Sequence, residues 1–147
     1  MSEVLNQTQL EELIRAVLNE KLSAASLAES SYKQRASGVL SVKIPAVCLH
    51  EADKLSTGNP NDRVYTKDVL SLNESPRLGL GVMEMYDTTF NWHLAYDEVD
   101  YVIEGVLSII IDGKKITASA GECLFIPKDS AIQFSVDGFA RFIYVTY

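Results

Sequence analysis

The sequence predicts a mainly β chain, a small barrel or sandwich of antiparallel strands preceded by one amphipathic helix. Three observations predict it. From Val39 onward, short runs rich in Val, Ile, Tyr and Phe are bounded by turn residues. Asp112-Gly113 and Asp137-Gly138 fall between such runs and read as two-residue hairpin signals. Upstream of them, residues 7–24 carry a helical period instead.

In that helix, Leu10, Leu13, Ile14, Val17 and Leu18 recur at three- and four-residue spacing and make one apolar stripe. Thr8 and Glu11 have the Thr-x-x-Glu spacing of a capping box. From about Ser23 to Ser41 the chain turns Ser- and Ala-rich, loses its apolar period and passes through Gly38. It reads as a linker, part of which extends the helix if alanine propensity prevails. The expected organisation is therefore a helix and linker over 1–38 and a β domain over 39–147. The strand runs of that domain are VLSVKIP, VYTKDVLSL, LGLGVMEMY, VDYVIEG, VLSIII with KKITASAG, CLFIP, IQFSV and ARFIYVTY.

Composition narrows the function classes. The 147 residues suit one domain with a sizeable core, and 47% are apolar. A net charge of −7 argues against nucleic acid and against an anionic membrane surface as partners. No apolar run approaches the length of a membrane span. The start, MSEVLNQTQLEELIR, lacks the basic and apolar regions of a secretory signal. Cys48 and Cys123 form no CxxC pair, and the expectation is two small apolar core thiols in a cytosolic chain. His50 is expected in a solvated loop.

Residues 87–105 (DTTFNWHLAYDEVDYVIEG) and 121–134 (GECLFIPKDSAIQF) have the spacing of two metal-binding motifs. The spacing resembles that of the cupin superfamily, which implies a jelly-roll β-barrel. Counting back from Gly105 puts Glu98 and His93 on two ligand positions, with Asn91 and Ile132 on the other two. Gly121 and Pro127 match the second motif, and Asp129 stands where glycine is usual. His93 and Glu98, helped by the Asn91 amide oxygen, form a weak donor set, and Ile132 supplies none. No tightly bound transition metal is expected. Mg²⁺ stays open, because it needs only one or two carboxylates and a substrate phosphate.

If residues 98–104 form a strand, Glu98, Asp100, Val102 and Glu104 share one face, and Val99, Tyr101 and Ile103 the other. An inward Glu98–Asp100 pair is costly unless hydrated, paired or shared with a cation, and this cost marks a candidate site. The alternative is that Asp100 pairs with Arg141 or Lys128 and does no chemistry. Tyr96 and Asp97 would stand at the strand's entry. Lys128 either reaches an anionic substrate at the barrel mouth or is a solvated turn lysine. No phosphate-cradling GxxxxGK[ST] loop is present.

The run WHLAYDEVDYVIEGVLSIIIDG, with GECLFIPKDSAIQFSV and the ending ARFIYVTY, resembles the EutQ family of ethanolamine utilization proteins. The resemblance covers roughly 39–147. It implies a bacterial cytoplasmic, microcompartment-associated protein, a homodimer, and an acetate kinase activity that interconverts ATP plus acetate with ADP plus acetyl phosphate. On that reading Glu98 and Asp100 would hold Mg²⁺ against the phosphates and Lys128 would neutralise charge. Tyr96 and Asp97 would orient acetate or nucleotide, and Asn91, His93, Tyr101 and Arg141 would contribute to substrate binding. In the same context the helix over 7–24 resembles peptides that carry cargo into microcompartments, with shell or cargo proteins as partners. Its stripe otherwise packs on the barrel or on a second subunit. A non-catalytic cargo or assembly protein is the alternative to the kinase.

Overall fold

The computed structural model describes residues 7–147, and the chain divides into two units after Val47. The first six residues of the expected N-terminal segment lie outside the described residues.

In the first unit, α1 runs Gln7–Tyr32 and contains no buried residue. It extends past the apolar stripe into the stretch expected as linker, where Ala24, Ala25 and Ala28 favour helix and no Gly or Pro intervenes before Gly38. Thr8 lies inside the helix, so the expected capping box does not form its start. The rest of that stretch is a hairpin, β1 (Lys33–Ala36) against β2 (Val39–Val42). Its turn residues Ser37 and Gly38 both have positive φ, as a primed turn requires. Lys33 Nζ pairs with Glu29 Oε1 at 2.8 Å.

The second unit contains β3 (Arg63–Asp68), β4 (Gly79–His93), β5 (Glu98–Ile111), β6 (Lys114–Ser119), β7 (Cys123–Ile126) and β8 (Ala131–Thr146). Their order is β3-β4-β8-β5-β6, with β7 also on β5, and all pairs are antiparallel. The hydrogen-bonded sheet is not closed into a ring. Asp112-Gly113 makes the expected β5–β6 hairpin, with φ of 50° and 72°.

Asp137-Gly138 does not make a hairpin. β8 runs straight through it, and the register against β4 shifts between Tyr86 and Thr88. The irregularity is a bulge: Gly138 (φ 82°) donates its N–H to Asp87 Oδ1 at 2.6 Å, and Asp87 itself has φ 40°. The runs VDYVIEG and VLSIII likewise fuse into one strand, β5, through Gly105. Gly105 has φ 77°, and a Cβ there would strike the Phe139 carbonyl.

Inward residues of these strands form one core, including Val64, Met85, Leu107, Phe134 and Phe142. Phe134 stacks on Phe90 at 5.5 Å and on Phe142 at 6.3 Å between ring centroids. The cysteines are not core residues as expected: Cys48 and Cys123 are both exposed and form no disulfide. Cys123 alternates with Leu124 and Ile126, which take the inward positions of β7. His50 is exposed, as expected. Among the described residues, no helix is long and apolar enough to cross a membrane.

Candidate functional site

β5 alternates as its sequence dictates. Glu98, Asp100 and Val102 are buried, while Val99, Tyr101 and Ile103 face outward. The alternation ends at the register shift between Val102 and Glu104, so Glu104 is exposed rather than on the inward face.

Glu98 and Asp100 are 5% and 0% exposed. Both Asp100 oxygens are buried, and among the described residues only the Glu98 carboxyl engages them, through a carboxyl–carboxyl hydrogen bond that needs a proton between the two. Arg141, a proposed partner, instead pairs with Glu84 across β4 and β8. Burial pushes the Glu98 carboxyl up to about 7. Burial, with Glu98 close by, pushes Asp100 well above the usual carboxylate range.

Glu98 lines a cavity of about 230 Å³ together with Thr66 and Asp68 of β3, Trp92 of β4, Tyr96, and Tyr144 of β8. Phe90, Phe134, Met83 and Leu55 complete its apolar walls, and Thr146 joins its rim. Asp100 stands opposite Tyr144 in the β5–β8 register and shares its face of the sheet, next to Glu98, without itself lining the cavity. Tyr144 is held from two sides. Its hydroxyl donates to Asp68 Oδ1 at 2.6 Å and accepts from Thr66 Oγ1 at 3.0 Å. Burial and the Asp68 bond push the Tyr144 phenol up, and burial does the same to Tyr96. Gly81 makes room for the Tyr144 ring, because a Cβ there would overlap it.

The other expected site residues are dispersed. Asp97 is exposed, and its Oδ1 accepts the Lys128 backbone N–H at 2.8 Å, pinning the turn after β7 beside the Tyr96 loop. Lys128 is exposed. Asn91 and His93 lie on the outward face of β4, alternating with Phe90 and Trp92. They line a separate surface hollow of about 430 Å³, and Asn91 Oδ1 accepts from Gln133 Nε2 at 3.0 Å. That hollow is the larger one, yet it carries no buried titratable group. Tyr101 is on the outer face of β5, 43% exposed. The structure therefore unites Tyr96, Glu98 and Asp100. It separates Asn91, His93, Tyr101 and Arg141 from them.

Thr66, Asp68, Trp92 and Tyr144 belong to the site but were not singled out in the sequence. Asp68 and Tyr144 are 76 residues apart and meet only through strand register. Gly79 and Gly81 within β4 were the local signals of a close approach, to Thr146 and Tyr144.

His93 does not share the cavity with Glu98, and among the described residues no three His, Cys, Asp or Glu cluster as metal ligands. The donors that do stand together are carboxylate, hydroxyl and phenol oxygens, a hard set. A hard cation such as Mg²⁺ would replace the proton shared by Glu98 and Asp100.

A family model described as ethanolamine utilisation protein EutQ matches residues 5–147. A relative named acetate kinase EutQ, from Clostridioides difficile (strain 630), is 54% identical over 144 residues, 97% of this chain and 92% of that protein. The solved structure of the Clostridium difficile EutQ protein superposes with a TM-score of 0.75 at 64% identity, covering 77% of this chain and 90% of that one. A cupin superfamily protein from Desulfitobacterium hafniense DCB-2 superposes with a TM-score of 0.51 at 16% identity, over 57% of this chain and 76% of that one. This last likeness supports the cupin fold.

Proposed function

The chain belongs to the EutQ family of ethanolamine utilisation proteins and has a cupin fold; on that premise we propose that it is an acetate kinase whose site is the acidic cavity. The observation that supports this reading is the buried Glu98–Asp100 carboxyl pair, with no cationic side chain among the residues lining the cavity beside it. The relative's name supplies the reaction.

In the reaction, an acetate oxygen attacks the γ-phosphorus of ATP. An O–P bond forms, the bridging P–O bond breaks, and ADP leaves. Such a transfer asks a protein mainly for positioning and charge neutralisation. The apolar wall of Met83, Phe90 and Trp92 takes the acetate methyl and excludes water. The Tyr96 hydroxyl orients the carboxylate. Glu98 and Asp100, deprotonated, hold Mg²⁺, which supplies charge neutralisation for the phosphates when bound. Lys128, exposed beside Asp97, meets the outer phosphates. The cavity holds acetate and a terminal phosphoryl group, and the rest of the nucleotide lies outside it.

The test is turnover by Glu98→Ala and Asp100→Ala variants with unchanged circular dichroism. Loss of acetyl phosphate formation by on the order of a hundredfold or more in both supports the reading, and full activity in both rejects it.

A second reading, a cargo or assembly protein, is favoured by α1, whose stripe residues Leu10, Leu13, Ile14, Val17 and Leu18 are all 43–53% exposed. That helix suits a groove on a microcompartment shell or cargo protein, with the protein cytoplasmic and microcompartment-associated. A homodimer is supported by the outward apolar face of Val99, Tyr101, Ile103 and Phe125.

A further inference from the structure

We infer that the cavity lined by Glu98 and Trp92 binds a small organic ammonium cation, its N–H groups on the buried carboxylates and its charge against aromatic faces. This goes beyond the kinase reading and does not rest on it.

Charge is the first argument. The cavity lining holds Asp68 and Glu98 and no Lys, Arg or His. Asp100, on the same face of the sheet as Tyr144, stands behind this lining with only the Glu98 carboxyl as a hydrogen-bonding neighbour. A buried carboxylate is stabilised by a guest that brings both positive charge and N–H donors.

The walls are the second argument. Phe90, Trp92, Tyr96, Phe134 and Tyr144 surround the space, with Phe90 and Trp92 edge to face at 5.8 Å. Aromatic faces attract organic cations through their quadrupoles. A cavity that is mostly apolar with a few convergent polar groups suits an organic ligand.

Size is the third. About 230 Å³ is the space of roughly seven or eight waters. That admits an amine of a few heavy atoms and excludes a nucleotide base with its sugar. An ammonium held here would occupy the same carboxylates that phosphoryl transfer needs, so the two occupants exclude one another.

The test is calorimetric titration and thermal unfolding of the full-length chain, with chelator and without nucleotide. Ethylammonium chloride is the probe. Potassium chloride, n-propanol and, without chelator, magnesium chloride are the comparisons. Saturable one-to-one binding of ethylammonium is expected, with Glu98→Gln and Trp92→Leu each weakening it by about tenfold or more. Glu98→Gln keeps the shape of the buried carboxyl and removes its ability to ionise, so it stays folded where Trp92→Leu fails. An ethylammonium response matched by n-propanol or potassium chloride overturns the inference. So does binding of magnesium with none of ethylammonium, or no saturable binding at all. These results are read without acetyl phosphate, so an inactive kinase leaves them interpretable.

Discussion

Asp100 and Glu98 hold the tension of this molecule. Glu98 keeps a proton in the folded chain up to about pH 7, whereas the unfolded carboxyl releases it near 4.5. Between those values the folded state binds more protons, so its contribution to stability is present at low pH and lost as pH rises toward 7. Urea unfolding in chelator is therefore expected to show wild type losing stability relative to Glu98→Gln across that window. A relative gain with rising pH contradicts the assignment. At this scale the inward pair was legible, because strand alternation from Glu98 leaves Asp100 no other face. Glu104 was not, since a bulge reset the alternation. Asp68 and Tyr144 were not, since only three-dimensional register joins them.

Among the elements, the three long strands β4, β5 and β8 depend on glycines that their alternating pattern does not reveal. Gly105→Ala forces a side chain into the left-handed region and into the Phe139 carbonyl. A loss of about 2–4 kcal/mol is expected from chemical denaturation, and wild-type stability would contradict the role given to that bend. Gly81→Ala pushes on the Tyr144 ring instead. It is expected to cost about 1–3 kcal/mol and to lower acetyl phosphate formation by displacing Tyr144 from Asp68; stability and turnover both unchanged would contradict it. The two Asp-Gly dipeptides show why element boundaries were half legible. Positive φ at Asp112-Gly113 closes a hairpin, while at Gly138 the same dipeptide lets one strand bulge and continue. Local sequence sets the available backbone conformation, and the partner strand decides how it is used. The longer α1 has a similar cause: alanine propensity carries the helix beyond its apolar stripe.

For the whole molecule, the cupin fold was legible because many short β runs and two spaced motifs agree. The location of the chemistry was legible only in part. The expected ligand positions divide between faces: Glu98 and Ile132 point inward, and Asn91 and His93 point out. The apolar stripe of α1 belongs to the cargo reading. Deleting residues 1–24 is expected to abolish microcompartment encapsulation and leave the melting temperature unchanged, and a drop of several degrees contradicts a targeting role.

Phosphoryl transfer at the acidic cavity is open to direct measurement. The measurement is ATP-dependent acetyl phosphate formation, with acetate and Mg²⁺, by chain purified from a host without its own acetate kinase, wild type beside Asp100→Asn. Turnover in the wild type that falls by on the order of a hundredfold in Asp100→Asn is the predicted result. No turnover in the wild type, or equal turnover in both, contradicts the account.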